Sequence, residues 1–188
     1  MVRSKGLDIK LGERVSTVSY DQYTLAKSVG IEFTAFKKNE YCKRSDIMQR
    51  KASAVWQGDL KTGKGSISTD SGTLKQTQYS FSTRFENGVG TNPEELLAAA
   101  HAGCFTMALS GQLGTMGLKA DKLETTATVT LDKVGDGFSV TKSHLDLVAR
   151  VPGADKAKFD TAVKNAETGC PVSKLFRAEI SVNARLES

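Results

Sequence analysis

The chain has 188 residues, enough for one domain with a sizeable core or for one domain plus an appendage, and two full domains are not expected. Its 39% hydrophobic and 25% charged residues, with a mean hydropathy of −0.30, exclude a disordered, collagenous or coiled-coil chain. The formal charge of +5 arises from 26 Lys+Arg against 21 Asp+Glu spread along the sequence, without a basic block beyond the first fifty positions, so neither nucleic acid nor a membrane surface is the expected partner.

Residues 1–47 carry nine Lys+Arg and six Asp+Glu, including Lys37, Lys38, Lys43 and Arg44, and show little periodicity. They read as an N-terminal extension of unknown role, and residues 48–188 read as the functional domain. The first residues lack the apolar stretch of a secretory signal, so the expected location is cytoplasmic.

From Met48 the pattern is regular. Ala52 to Trp56 alternates like a strand, glycines 58, 63 and 65 mark turns, and Ser66 to Thr69 forms a further short segment. Lys61-Thr-Gly-Lys-Gly65 lacks the phosphate-loop pattern and reads as a hairpin turn. Gln78 to Phe85 alternates again, and Glu86 to Gly90 is a loop. Thr91 or Asn92 is an N-cap, Pro93 stands near the first helical position, and Glu94 and Glu95 lie where the helix dipole favours acids.

The helix beginning there is apolar on nearly every side. Leu96 to Leu118 is the longest run without Lys, Arg, Asp or Glu, but its His101, Gln112 and four glycines favour burial in a core or large interface over a membrane span. Leu123 to Lys133 and Phe138 to Val151 are strand-like and joined by the hairpin signal Gly135-Asp-Gly137. Pro152 is expected to open a second helix, Gly169 to cap it and Pro171 to start another turn. A closing strand covers Arg177 to Leu186. The expected class is α+β, with antiparallel β-sheets packed around two central helices.

Three cysteines, Cys42, Cys104 and Cys170, are too few and too far apart for a disulfide scaffold or a zinc ribbon and indicate reduced thiols. Cys104 sits inside an apolar helix, where burial alone keeps a thiol protonated unless a cation stabilises the thiolate. Cys170 directly precedes Pro171 at a helix start, so by local electrostatics it is the better nucleophile. His101 lies three residues before Cys104 and would make a third metal ligand with the two thiols. No fourth is apparent, and no metal or other cofactor is expected.

The stretch Thr83-Arg84-Phe85, the block from Gly90 to Ser110 containing His101-Ala-Gly-Cys104, and Gly169-Cys-Pro-Val-Ser173 resemble the OsmC/Ohr family of thiol peroxidases, in particular its OsmC branch. Ala54 to Asp59 and Leu131 to Val134 add to the likeness, which covers about residues 48–188 and leaves 1–47 and Cys42 unmatched. The resemblance implies an organic hydroperoxide reductase. Cys104 would be the peroxidatic cysteine, Cys170 the resolving cysteine that traps its sulfenic acid as a disulfide, and Arg84, held by Glu94, the cation over Cys104. It further implies an external dithiol reductant such as dihydrolipoamide, a role in stress protection, and an intertwined homodimer with its active sites at the subunit interface.

Leu97, Phe105, Met107 and Phe81 are the residues expected to line an apolar site for alkyl or fatty-acid hydroperoxides. Ten residues separate Glu94 from Cys104, about 15 Å of rise and roughly 80° of rotation on one helix, so either Arg84 bridges much of that span within one chain or the Arg84–Glu94 pair reaches Cys104 from a second subunit, the shared site being the favoured expectation. The competing class is a non-enzymatic dimer that binds a hydrophobic ligand and whose cysteines only pack.

Overall fold

The computed structural model describes residues 48–187, so the extension and Cys42 lie outside the described residues. The chain runs through strands β1 (Ala52–Gln57), β2 (Lys64–Thr69) and β3 (Thr77–Ser80), which pair antiparallel in that order. The Asp59 carboxylate closes the first turn by accepting the N–H groups of Lys61 and Thr62, each at 2.9 Å. Helix α1 (Phe81–Phe85) follows at once, where the sequence alternation suggests continued strand. The difference lies in a capping box: the Ser80 hydroxyl accepts from the Thr83 N–H, and the Thr83 hydroxyl oxygen accepts from the Ser80 N–H at 2.8 Å.

Helix α2 (Pro93–Thr115) leads into the hairpin of β4 (Lys122–Val134) and β5 (Gly137–Arg150). Helices α3 (Lys156–Gly169) and α4 (Pro171–Leu175) then return the chain to strand β6 (Glu179–Glu187). The second sheet has the order β4-β5-β6, and β6 runs parallel to β5, which corrects the expectation of antiparallel pairing throughout. The physical reason is the crossover: α3 and α4 carry the chain back along the sheet, so β6 starts from the same end as β5. The fold is α+β with two three-stranded sheets and helices.

Pro152 does not open α3. Gly153 takes φ +77°, a left-handed turn conformation, and the helix starts after Asp155, whose carboxylate accepts from the Lys158 N–H at 2.8 Å. Nor does Gly169 form a left-handed cap. Cys170 ends α3 in extended backbone (φ −60°, ψ 123°), because the proline after it disfavours the helical region.

The core lies between α2, α3 and β5. Residues at four-residue intervals on α2 (His101, Phe105, Leu109, Leu113) face the alternating inward positions of β5 (Ser143, Leu145, Leu147, Ala149), while α3 adds Phe159, Ala162, Val163 and Ala166. Cys170 is fully buried in this cluster, and Cys104 packs against its edge. Phe105 belongs to the core and not to a substrate site, since one helical step from Cys104 turns it about 100° toward the sheet.

Candidate active site

Three helices bring two sulfurs together. The break between α3 and α4 fixes Cys170, α2 carries Cys104, and their sulfurs lie 2.8 Å apart, sharing a hydrogen bond across 66 residues of sequence. That separation is about 0.8 Å longer than a disulfide bond of about 2.05 Å, so closure requires little movement.

The two thiols ionise differently. Burial pushes the Cys104 thiol up, the hydrogen bond with Cys170 adds to the effect, and the Val172 N–H opposes it. Burial also opposes ionisation of Cys170, but its interactions with Cys104, with Ser173 and with the Val172 N–H outweigh it, so Cys170 lies below the ordinary thiol value. Among the described residues, no arginine is one of the groups acting on Cys104 within one chain.

Arg84 is engaged by its own chain. Its Nε donates to both carboxylate oxygens of Glu94 (3.1 and 3.2 Å) and its Nη2 donates to Oε1 at 2.7 Å, so the guanidinium plane is set while part of the fork stays outward-facing. Asn92 sets the register of this pair. Its Oδ1 caps α2 by accepting from the Glu95 N–H at 2.8 Å, and its Nδ2 donates to the Thr83 carbonyl of α1 at 3.0 Å. Thr91 reinforces the junction by donating to Glu95 Oε2 at 2.7 Å. Gly90, at φ +138°, is needed just before it, because a Cβ there would stand 2.5 Å from the Gln78 carbonyl oxygen.

Beside the pair lies an aromatic cluster. Phe85 packs on Phe81 and Phe138 with ring centroids 4.8 and 5.1 Å away, and the Arg84 guanidinium lies 5.3 Å from the centre of the Phe85 ring. Phe138 comes from the hairpin tip of β5, and sequence spacing gave no sign that it would meet α1. Of the expected apolar lining, Phe81 joins this cluster. Met107 points outward from α2, with 75% of its surface exposed.

His101 does not gather with the thiols around a metal site. It is fully buried, with Nδ1 2.7 Å from the Ser143 hydroxyl and Nε2 2.9 Å from the Ser173 hydroxyl. Ser143 and Ser173 escaped the sequence reading, although Ser173 closes the block that begins at Gly169.

Residues 85–185 match the family model described as OsmC-like protein. Peroxiredoxin OsmC of Escherichia coli (strain K12) is 50% identical over 141 residues, which cover 75% of this chain and 99% of that protein. The chain belongs to the OsmC family. An organic hydroperoxide resistance protein of Xanthomonas axonopodis pv. citri is 35% identical over 100 residues, 53% of this chain and 68% of that one. The crystal structure of the organic hydroperoxide resistance protein OhrB of Bacillus subtilis superposes with a TM-score of 0.53 at 29% identity, covering 73% of this chain and 98% of that chain. Both cysteines, Arg84's neighbour Phe85, and Glu94 fall inside the matched OsmC segment, whereas Arg84 itself stands one residue before it.

Proposed function

We propose that this OsmC-family protein is a peroxidase that reduces organic hydroperoxides to alcohols through a Cys104 sulfenic acid resolved by Cys170. The observation that carries this reading is the 2.8 Å contact between the two sulfurs. The names of its relatives, a peroxiredoxin and organic hydroperoxide resistance proteins, agree with peroxide reduction.

In the first step the Cys104 thiolate attacks the terminal oxygen of ROOH. The O–O bond breaks, a proton completes the alcohol ROH, and Cys104 becomes a sulfenic acid. In the second step Cys170 attacks that sulfur, the S–O bond breaks, and water leaves with the Cys170 proton as the disulfide forms. An external dithiol of the dihydrolipoamide kind then restores both thiols and is itself oxidised to a disulfide.

The active unit is a homodimer. Among the described residues of one chain only the Val172 N–H opposes the burial that keeps Cys104 protonated, and it does not outweigh it, while the Arg84–Glu94 pair is preassembled elsewhere with the Arg84 side chain 37% exposed. The unbroken α2 maintains the offset between Glu94 and Cys104 at about 15 Å of rise. An outward stripe on α2 of Ala99, Gly103, Met107, Ser110 and Gly114 admits close approach of a second copy, which would bring its Arg84 to Cys104. The exposed aromatic cluster beside Arg84 suits an alkyl or fatty-acid hydroperoxide better than hydrogen peroxide.

Peroxide consumption with a dithiol donor, followed by mass spectrometry of the enzyme after one equivalent of cumene hydroperoxide, tests this reading. The expected product is an intramolecular Cys104–Cys170 disulfide, with kcat/KM for cumene hydroperoxide above that for hydrogen peroxide. If no such disulfide forms during turnover, the two-cysteine mechanism fails; a preference for hydrogen peroxide removes the apolar substrate site.

A further inference from the structure

The outer face of the second sheet carries a group of polar side chains that peroxide reduction leaves unused. Residues of β5 alternate, so Ser143 and Leu145 turn inward to the core while His144 and Asp146 turn outward. The parallel register then sets Ser181 of β6 opposite His144, and Asn183 opposite Asp146. We infer that Ser181 is a nucleophile that accepts acyl groups from small activated esters, with His144 as its base and Asp146 orienting that base.

The side chains are bonded in a line. His144 Nδ1 lies 2.7 Å from the Ser181 hydroxyl, its Nε2 lies 3.3 Å from Asp146 Oδ1, and Asn183 Nδ2 donates to that same oxygen at 3.2 Å. A carboxylate has no hydrogen to give, so Nε2 carries the ring hydrogen and donates it to Asp146. That leaves the Nδ1 lone pair to accept from the Ser181 hydroxyl. Asn183 keeps the carboxylate turned toward the ring. A hydroxyl on an imidazole that is itself held by a carboxylate is the arrangement that turns serine into a nucleophile. The His144 and Asp146 side chains are 42% and 51% exposed, so an ester reaches this line from solvent.

In the first stage Ser181 Oγ bonds to the acyl carbon and its proton passes to His144 Nδ1. The ester C–O bond then breaks, and the leaving alcohol departs with that proton. In the second stage water attacks acyl-Ser181 by the same route, so the carboxylic acid leaves and the serine hydroxyl is restored. An activated ester loses a better leaving group than the serine alkoxide, so the first stage outpaces the second and acyl-Ser181 accumulates. Cys104 takes no part, because α2 packs against the opposite face of β5.

Incubation with 4-nitrophenyl acetate followed by peptide mass spectrometry reads acetylation residue by residue. The full chain is used with Cys42, Cys104 and Cys170 replaced by alanine, which removes competing thiols. Ser139, exposed on β5, is the internal reference, since the ring nitrogens of both histidines are engaged by other residues. Ser181 is expected to be acetylated about a hundredfold faster than Ser139, the low end of what a positioned base contributes. His144→Ala should bring Ser181 down to the Ser139 rate. Asp146→Asn keeps the shape but offers the ring an N–H, which moves the ring hydrogen to Nδ1, so it should slow Ser181 by at least about tenfold. In the protein with all three cysteines, a fluorophosphonate probe, which bonds to serine with loss of fluoride, should label Ser181 ahead of Ser139 and carries the test if the cysteine-free chain does not fold. Ser181→Ala should abolish that label and leave peroxide reduction unchanged. Acetylation of Ser181 no faster than of Ser139, an unchanged rate in His144→Ala, or acetyl held on His144 with Ser181 unmodified would each overturn the inference.

Discussion

At the scale of single residues, Cys104 is a thiol that its own chain holds protonated, and the cation proposed for it is presented by a carboxylate. Lysine cannot reproduce the double contact of Arg84 with Glu94, because an ammonium lacks the planar fork. Arg84→Lys is therefore expected to lower kcat/KM for cumene hydroperoxide by about a hundredfold, on the order of two charge-assisted hydrogen bonds. The pH profile gives an independent check. The thiolate is the reactive form, and burial pushes the Cys104 thiol up. Removing the cation with Arg84→Ala should move the pH of half-maximal peroxide reduction upward; an unchanged midpoint would mean that Arg84 does not act on Cys104.

His101 has a pH signature of the opposite kind. Desolvation lowers its folded-state pKa, so the native state binds this proton less readily than the unfolded chain does. Its contribution to stability is complete above the unfolded value of about 6.5 and is lost as pH falls below it. Between pH 7 and pH 5 the melting temperature of the unaltered protein should fall more steeply than that of His101→Gln, as scanning calorimetry would show.

At the scale of elements, the junction of α1 and α2 sets the Arg84–Glu94 geometry, and Asn92 ties it together. Asn92→Ala removes a helix cap and the bond to the Thr83 carbonyl, so it should cost about 1 to 2 kcal/mol by urea denaturation. It should also reduce peroxide reduction disproportionately, since the two charges lose their common anchor. Sequence reading found the cap at Thr91 or Asn92 because side-chain oxygens before Pro93 and two acids are a local signal. The reach of Nδ2 to another helix is tertiary and leaves no such mark. The same division explains the strands. Clean alternation made β1, β4, β5 and β6 legible, but whether β6 runs parallel depends on the crossover. The cysteines and the Arg84–Glu94 pair were legible through resemblance to a family, whereas local electrostatics alone favoured Cys170 as the nucleophile, the same direction the single chain displays. Ser143 and Phe138 come from distant positions of β5 and were visible only once the hairpin was placed.

For the whole molecule, the question is whether one chain or two build the site, and subunit mixing answers it. Consider a Cys104→Ser chain combined with an Arg84→Ala chain. If Arg84 serves the cysteine of its own chain, every site in every combination lacks one group, and the mixture stays inactive. If it serves the partner, the heterodimer contains one site made of an intact Cys104 and an intact Arg84, and one site missing both. Equal mixing makes about half of all dimers heterodimeric with one working site each, so recovery of about a quarter of the unaltered activity is expected. Co-expression with two different affinity tags and tandem purification enriches the heterodimer and should raise recovery to about half. The small-residue stripe on α2 gives a second handle. Gly103→Leu places a bulky side chain where a Cβ meets no described heavy atom within 4 Å beyond its chain neighbours and the backbone of its own helix, so it should leave the folded monomer intact while lowering both the sedimentation coefficient and the peroxidase rate. A monomer that keeps full activity would show that the cation reaches Cys104 without a second subunit.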